Sequence, residues 1–164
     1  IHIAELNAGL GKELPFSFTT AAADIDATAA DYAFEGPIEV EGHVTNTGTG
    51  YRVEGVIRAR KRFICDRCLE ECLEAQEHAF SEMFRQGTPA EGDDANFFDG
   101  DEIELQELVR DTLLAAQPLS NICKPDCKGL CPVCGANLNH GDCGCDRFVP
   151  DPRLAALQQF QAKE

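Results

Sequence analysis

Nine cysteines stand in these 164 residues, and eight fall into four close pairs: Cys65/Cys68, Cys123/Cys127, Cys131/Cys134 and Cys143/Cys145. Only Cys72 is left over. Zinc takes four thiolates tetrahedrally at about 2.3 Å, and two cysteines separated by two residues reach one ion from a single tight turn. The sharpest such turn is Cys131-Pro132-Val133-Cys134-Gly135, where proline presets the bend and glycine admits close backbone approach. Cys143-Gly144-Cys145 returns after eight intervening residues and completes four ligands. A second set joins Cys65-Asp66-Arg67-Cys68 to Cys123-Lys124-Pro125-Asp126-Cys127. Pairing Cys65/Cys68 with Cys131/Cys134, and the other four together, is equally tetrahedral, and spacing does not choose between the two. The neighbouring-pair arrangement is preferred because no ligand turns cross. Two structural zinc ions are the expectation, and Cys72 reads as a small buried apolar residue.

Other chemistries compete with this reading. Buried free thiols would explain one isolated pair, but not four together. A dithiol catalyst needs a strand-to-helix setting that neither CxxC has, and a rubredoxin-like iron is open wherever four thiolates meet. His2, His43, His78 and His140 are scattered, and there is neither a Ser/His/Asp set nor a glycine-rich phosphate loop. The chain therefore reads as no enzyme. His140 lies near the last cysteine pair and reads as a surface histidine.

The elements that must position these thiols follow from periodicity. Ile38, Val40 and Val44 alternate with polar residues, Thr45 to Gly50 form a turn, and Tyr51, Val53, Ile57 and Phe63 return the pattern, giving a β-hairpin. Phe16 and Phe18 mark a strand near the N-terminus. Leu73 to Phe84 fits a further strand, although Leu73, Phe80 and Phe84 also fit a helical stripe. Residues 86–101 carry Gly, Pro, Asp and Asn without apolar periodicity and read as a surface loop. Ile103, Leu105, Leu108, Val109, Thr112, Leu113 and Ala116 recur at helical spacing before Pro118, which predicts a long helix near 102–117. A short C-terminal helix is expected from Asp151 as cap, Pro152 in the first turn, and Leu154, Leu157 and Phe160 as the docking face. The Cys-rich segment between the helices has too few large apolar residues for a core of its own, so coordination must hold it.

The fold class expected is therefore α+β, a mainly antiparallel sheet with one long helix, a zinc-stapled Cys-rich segment and a short C-terminal helix. Residues 1–118 form the β-rich core and 119–164 the Cys-rich segment and closing helix, packed together as a single compact unit. No run approaches a membrane span and no leader pattern opens the chain, so a cytoplasmic setting is expected.

Charge is segregated. Lys and Arg number 14 against 29 Asp and Glu, a net −15, so the whole molecule repels polyanions at long range. Yet Arg52, Arg58, Arg60, Lys61, Arg62 and Arg67 cluster within positions 52 to 67, and Lys124 and Lys128 flank the third cysteine pair. Local cations offset the net −2 of a zinc tetrathiolate, and they also suit phosphates. Arg58, Arg60, Lys61, Arg62, Arg67, Lys124 and Lys128 are accordingly the candidate nucleic-acid contacts. Strand alternation places Arg58, Arg60 and Arg62 on one face. Segment 70–111 instead holds fourteen acids against Arg85 and Arg110, a surface suited to a basic protein or simply to solvent.

Cys65-Asp66-Arg67-Cys68-Leu69-Glu70 after a hairpin, Cys123 to Cys127, and Gly129-Leu130-Cys131-Pro132-Val133-Cys134-Gly135-Ala136-Asn137-Leu138-Asn139 together resemble the YceD-like family of large ribosomal RNA subunit accumulation proteins. The likeness extends to Lys12-Glu13-Leu14-Pro15-Phe16-Ser17-Phe18 and to Asp151-Pro152-Arg153-Leu154. It implies a role in large-subunit rRNA accumulation and ribosome assembly, with rRNA or a large-subunit ribosomal protein as partner. It implies no mechanism. The alternative kept beside it is a zinc-ribbon protein-interaction adaptor without RNA contact, and, third, a thiol redox protein.

Overall fold

The structure, a computed structural model, describes residues 1–88, 96–147 and 153. The chain folds as two compact units, Ile1–Ile64 with Glu71–Asn121, and Cys65–Glu70 with Ile122–Glu164. The expected C-terminal helix from Asp151 lies outside the described residues, Arg153 apart.

The first unit is a sheet written by alternation. Its strands are β1 (Glu13–Thr20), β2 (Tyr32–Phe34), β3 (Ile38–Asn46), β4 (Tyr51–Ile64), β5 (Glu71–Gln86) and β6 (Asn96–Phe98). Their order is β1-β3-β4-β5-β6, with β2 beside the far end of β4. The predicted hairpin is β3–β4, closed where Thr47 N–H donates to the Gly50 carbonyl at 2.9 Å. The ambiguous segment after Cys72 is strand, since β5 pairs with β4 along nearly its whole length.

Inward-facing residues of period two, Val40, Val44, Val53 and Ile57, are all at most 1% exposed and make the core with Ile3, Leu6, Ile25, Ile103 and Leu113. Each such aliphatic side chain stabilises the fold by roughly 1.5–3 kcal/mol. Gly42 and Gly55 sit opposite one another, and a Cβ on Gly42 would lie 2.2 Å from the Glu54 carbonyl and 2.9 Å from the Phe16 ring. Only glycine permits that approach, and it lets Phe16 and Phe80 close over the strands.

The sheet departs from expectation at one edge. Every neighbouring pair is antiparallel except β5–β6, which is parallel, so the sheet is mixed. β6 also falls inside the segment expected to be loop. Three residues are too short for periodicity to register, yet Phe98 is buried and the Gly87 N–H bonds its carbonyl at 3.0 Å.

The helix, α1 (Gln106–Ala115), is ten residues rather than the longer run predicted from 102. Ile103 and Leu105 continue the apolar pattern but are buried ahead of the helix. The Ile103 N–H and carbonyl are taken up by Ile1, and His2 bridges Glu102. Val109 and Leu113 are the residues α1 buries fully. Among the described residues no helix is long and apolar enough to cross a membrane.

Candidate metal centres and the charged face

The second unit gathers eight cysteines into two tetrads, Cys65, Cys68, Cys123 and Cys127 in one and Cys131, Cys134, Cys143 and Cys145 in the other. This is the neighbouring-pair arrangement. Within each tetrad all four Sγ atoms lie within 4.8 Å of one another. Four thiolates at about 2.3 Å from one ion stand roughly 3.8 Å apart along the tetrahedron's edges. Cys65 and Cys127 Sγ are 3.9 Å apart, and Cys68 and Cys123 Sγ 3.7 Å. The donor set and its spacing fit a tetrahedral ion, and both tetrads can hold a metal.

Two tight turns supply half of these thiols by one backbone device. In the first, Cys65 N–H donates to the Glu70 carbonyl at 2.9 Å and Leu69 N–H donates to the Cys65 carbonyl at 2.9 Å. In the second, Cys131 N–H donates to Ala136 and Gly135 N–H to the Cys131 carbonyl, each at 2.8 Å. Each turn closes on a left-handed residue, Leu69 with φ 59° and Gly135 with φ 74°. That conformation suits glycine and strains leucine, whose side chain is mostly exposed here.

The turns also aim amides at sulfur. Burial pushes the Cys65 thiol up, but N–H groups of Cys123, Cys68 and Arg67 outweigh it and hold it at about 6. Cys131 is held at about 6 by the amides of Cys134 and Val133, the same offsets along its own turn. Within each tetrad another thiol moves the opposite way. Burial and then the neighbouring cysteines raise Cys123, and Cys134 and Cys143 push Cys145 up to about 12. Four thiolates cannot share so small a volume without a cation, and a divalent ion at the centre removes that repulsion.

Polar side chains complete the first tetrad, and the sequence reading missed most of them. Asn139 Nδ2 donates to Cys127 Sγ at 3.4 Å, while its Oδ1 accepts from Lys128 N–H at 2.9 Å. The Asn139 bond is the leading cause holding the Cys127 thiol down. His140 Nε2 lies 2.7 Å from Glu70 Oε1, and Glu70 Oε2 is 3.8 Å from Cys68 Sγ. His140 is indeed mostly exposed, but through Glu70 it reaches the edge of the tetrad. The only signal in the sequence is the Asn137-Leu138-Asn139-His140 run following the second turn. Cys72 stands on the inward face of β5, opposite Phe63, and is half-buried rather than buried.

The seven candidate nucleic-acid residues divide between the two units. Arg58, Arg60 and Arg62 share the outward face of β4, as alternation required, whereas Arg67, Lys124 and Lys128 belong to the second unit. Arg58 lies between two carboxylates, Glu41 at 2.6 Å and Glu77 at 2.8 Å, and both hold its guanidinium further up. Arg62 lies between Glu35 at 3.6 Å and Glu71 at 3.1 Å. Lys61 is 1% exposed, with Nζ 2.6 Å from Asn121 Oδ1 and 4.5 Å from the Tyr32 ring centroid. Its odd position in β4 turns it inward. Arg67 Nη1 donates to the Cys127 carbonyl at 3.1 Å, and Lys124 and Lys128 are exposed.

A family model described as large ribosomal RNA subunit accumulation protein YceD matches residues 53–161. An uncharacterised protein of Mycobacterium tuberculosis is 29% identical over 132 residues, 77% of this chain and 63% of its own length. The chloroplastic large ribosomal RNA subunit accumulation protein YCED homolog 1 of Arabidopsis thaliana is 27% identical over 169 residues, 82% of this chain and 53% of its own. Its namesake in Zea mays is 29% identical over 135 residues, 63% of this chain and 46% of its own. The chain thus spans less than two thirds of the length of these relatives. No solved structure matches it.

Proposed function

Since the chain belongs to the YceD family of large ribosomal RNA subunit accumulation proteins, we propose that it is a non-catalytic, zinc-binding factor supporting large-subunit rRNA accumulation and ribosome assembly, reaching rRNA through a basic ribosomal protein. The observation that carries this choice of route is the neutralised basic stripe. Arg58 and Arg62 are each held between two glutamates, and Lys61 is inside the sheet. Three of the seven residues a phosphate backbone would need are thereby occupied, on a chain already at −15. Zinc, when bound, supplies a structural cross-link in place of an apolar core, and the chain's own amides and Asn139 orient the thiolates toward it. Exposed Lys124 and Lys128 offset the charge of that centre in this reading. A cytoplasmic setting, where thiols stay reduced, belongs to the same proposal.

The test measures binding of the purified chain, with two zinc equivalents confirmed by elemental analysis and thiol counting, to a large-subunit rRNA fragment and to basic ribosomal proteins. The expected result is saturable binding of a basic protein, with RNA held no better than the roughly 10⁻⁴–10⁻⁶ M of non-specific contact. Submicromolar rRNA binding that is lost in Arg58→Glu/Arg60→Glu/Arg62→Glu would return the direct RNA route. Oxidised pairs in place of metal would promote redox chemistry.

A further inference from the structure

β5 is sixteen residues long, but β6 covers only Phe84–Gln86 of its outer side. Two hydrogen bonds fix which backbone groups face outward. Cys65 N–H donates to the Glu70 carbonyl at one end of the β4–β5 ladder, and Gly87 N–H donates to β6 at the other. Groups alternate along an antiparallel strand, so even-numbered residues of β5 bond β4, and Leu73, Ala75, Glu77, Ala79, Ser81 and Met83 turn their N–H and C=O away from it. Among the described residues, no backbone or side-chain group bonds these outward groups.

An open edge of this length is a template for another strand. Its charge selects which. Glu74, Glu77 and Glu82 are exposed on Leu73–Met83, a stretch with no Lys or Arg, and with Glu77 turned to Arg58 across the ladder, Glu74 and Glu82 carry its charge. A second copy pairing edge to edge would set these carboxylates against their own kind. A Lys- or Arg-bearing strand would meet opposite charge.

Resting on the reading that the partner is a basic protein, we propose that the outer edge of β5 from Leu73 to Met83 accepts an extended, basic segment of that protein as an added β-strand. Backbone hydrogen bonds supply the affinity and the edge glutamates the choice of partner.

The probe is a peptide of about twelve alternating Lys and Val residues, long enough to run the edge at ~3.4 Å per residue. It is compared with the same peptide N-methylated at alternate positions, which keeps charge and removes donors. Ala79→Pro is the matching change in the full zinc-loaded chain. Its lost N–H faces outward, so the β4 ladder is intact, and proline is tolerated at such edge positions. Circular dichroism and zinc content confirm folding of this variant, and Ala75→Pro serves if it fails. The expected result is protection of the Leu73–Met83 amides from hydrogen exchange by the peptide. Affinity should fall about tenfold or more for the N-methylated peptide and for the proline variant, the scale of one or two lost hydrogen bonds.

Tight binding of both peptides with no amide protected would overturn the added strand while leaving a basic partner in place. If neither peptide binds at low salt, both the edge and the basic-partner reading fall. An rRNA fragment that protects these amides when the peptide does not would overturn the proposal in favour of nucleic acid.

Discussion

The two tetrads use the same turn and differ in what surrounds it. Both begin with a CxxC whose first cysteine carbonyl accepts an N–H four residues on, and whose first sulfur receives amides from the next turn of chain. Their return pairs differ: Cys123 and Cys127 enclose three residues, Cys143 and Cys145 one. In the first tetrad Cys65, Cys68 and Cys127 are at most 5% exposed, whereas in the second Cys134 is exposed and Cys143 and Cys145 are half-buried. The turn sets the thiolate chemistry, and what packs around each tetrad sets how far water reaches it.

The largest break in this comparison comes from the ligands. Cys65→Ser and Cys134→Ser are each expected to remove one zinc equivalent, but loss of the buried site should cost the larger share of stability. Structural zinc contributes on the order of 10 kcal/mol in small metal-folded peptides. Elemental analysis and thermal unfolding read the two effects, and equal losses of stability would erase the distinction. In the intact chain, a chelator should strip the second tetrad first.

Next comes Asn139→Ala, which removes the side-chain donor from Cys127 Sγ and lets that thiol rise. Metal at the first tetrad should weaken by about tenfold to a hundredfold, measured by competition with a chromophoric chelator, while the second is unchanged.

A reciprocal exchange sharpens the turns themselves. Leu69→Gly relieves a left-handed leucine and is expected to stabilise by about 0.5–1 kcal/mol, and Gly135→Leu to destabilise by about 1–2 kcal/mol. A Cβ at Gly135 meets nothing within 4 Å, so the second change isolates the backbone term. Denaturant midpoints measure both.

The smallest effect is at Glu70. His140, through its hydrogen bond and then its charge, holds the Glu70 carboxyl below its ordinary value. A depressed carboxyl gives stability that is present above its unfolded value and lost as pH falls through the folded one. His140→Ala should return the Glu70 titration toward the ordinary carboxylate range, followed by NMR, and flatten that acid-side loss. Salt screening keeps the effect small.

Much of this was legible because it is local. The hairpin announced itself through Thr45–Gly50 between two period-two runs, and the cysteine turns through their spacing. What escaped was set by distant residues. The carboxylates beside Arg58 and Arg62 arrive from β3, β5 and the residue after β2, through register that one strand's pattern does not contain. Lys61 could have been placed, since alternation that turns Arg60 and Arg62 outward turns Lys61 in, but its charge drew the reading to the surface. Ile103 keeps helical periodicity while being held by the chain's first residue, and Leu105 is buried just ahead of the first turn of α1. Apolar spacing records burial there, not helix.

The ligand sets also differ in how much chain each must close. Cys65 and Cys127 are 62 positions apart, whereas the second tetrad begins at Cys131 and ends at Cys145. Loop-closure entropy grows with the logarithm of that length, so the short set can capture its ion as soon as its own segment exists. The long set has all four thiols made before Cys131, but to close it the chain must fold back across β5, β6 and α1, the three elements between its two turns. In refolding of the whole chain, ion capture would therefore have an order in time: the exposed, local clasp first, and the buried, long-range clasp as the step that completes the fold.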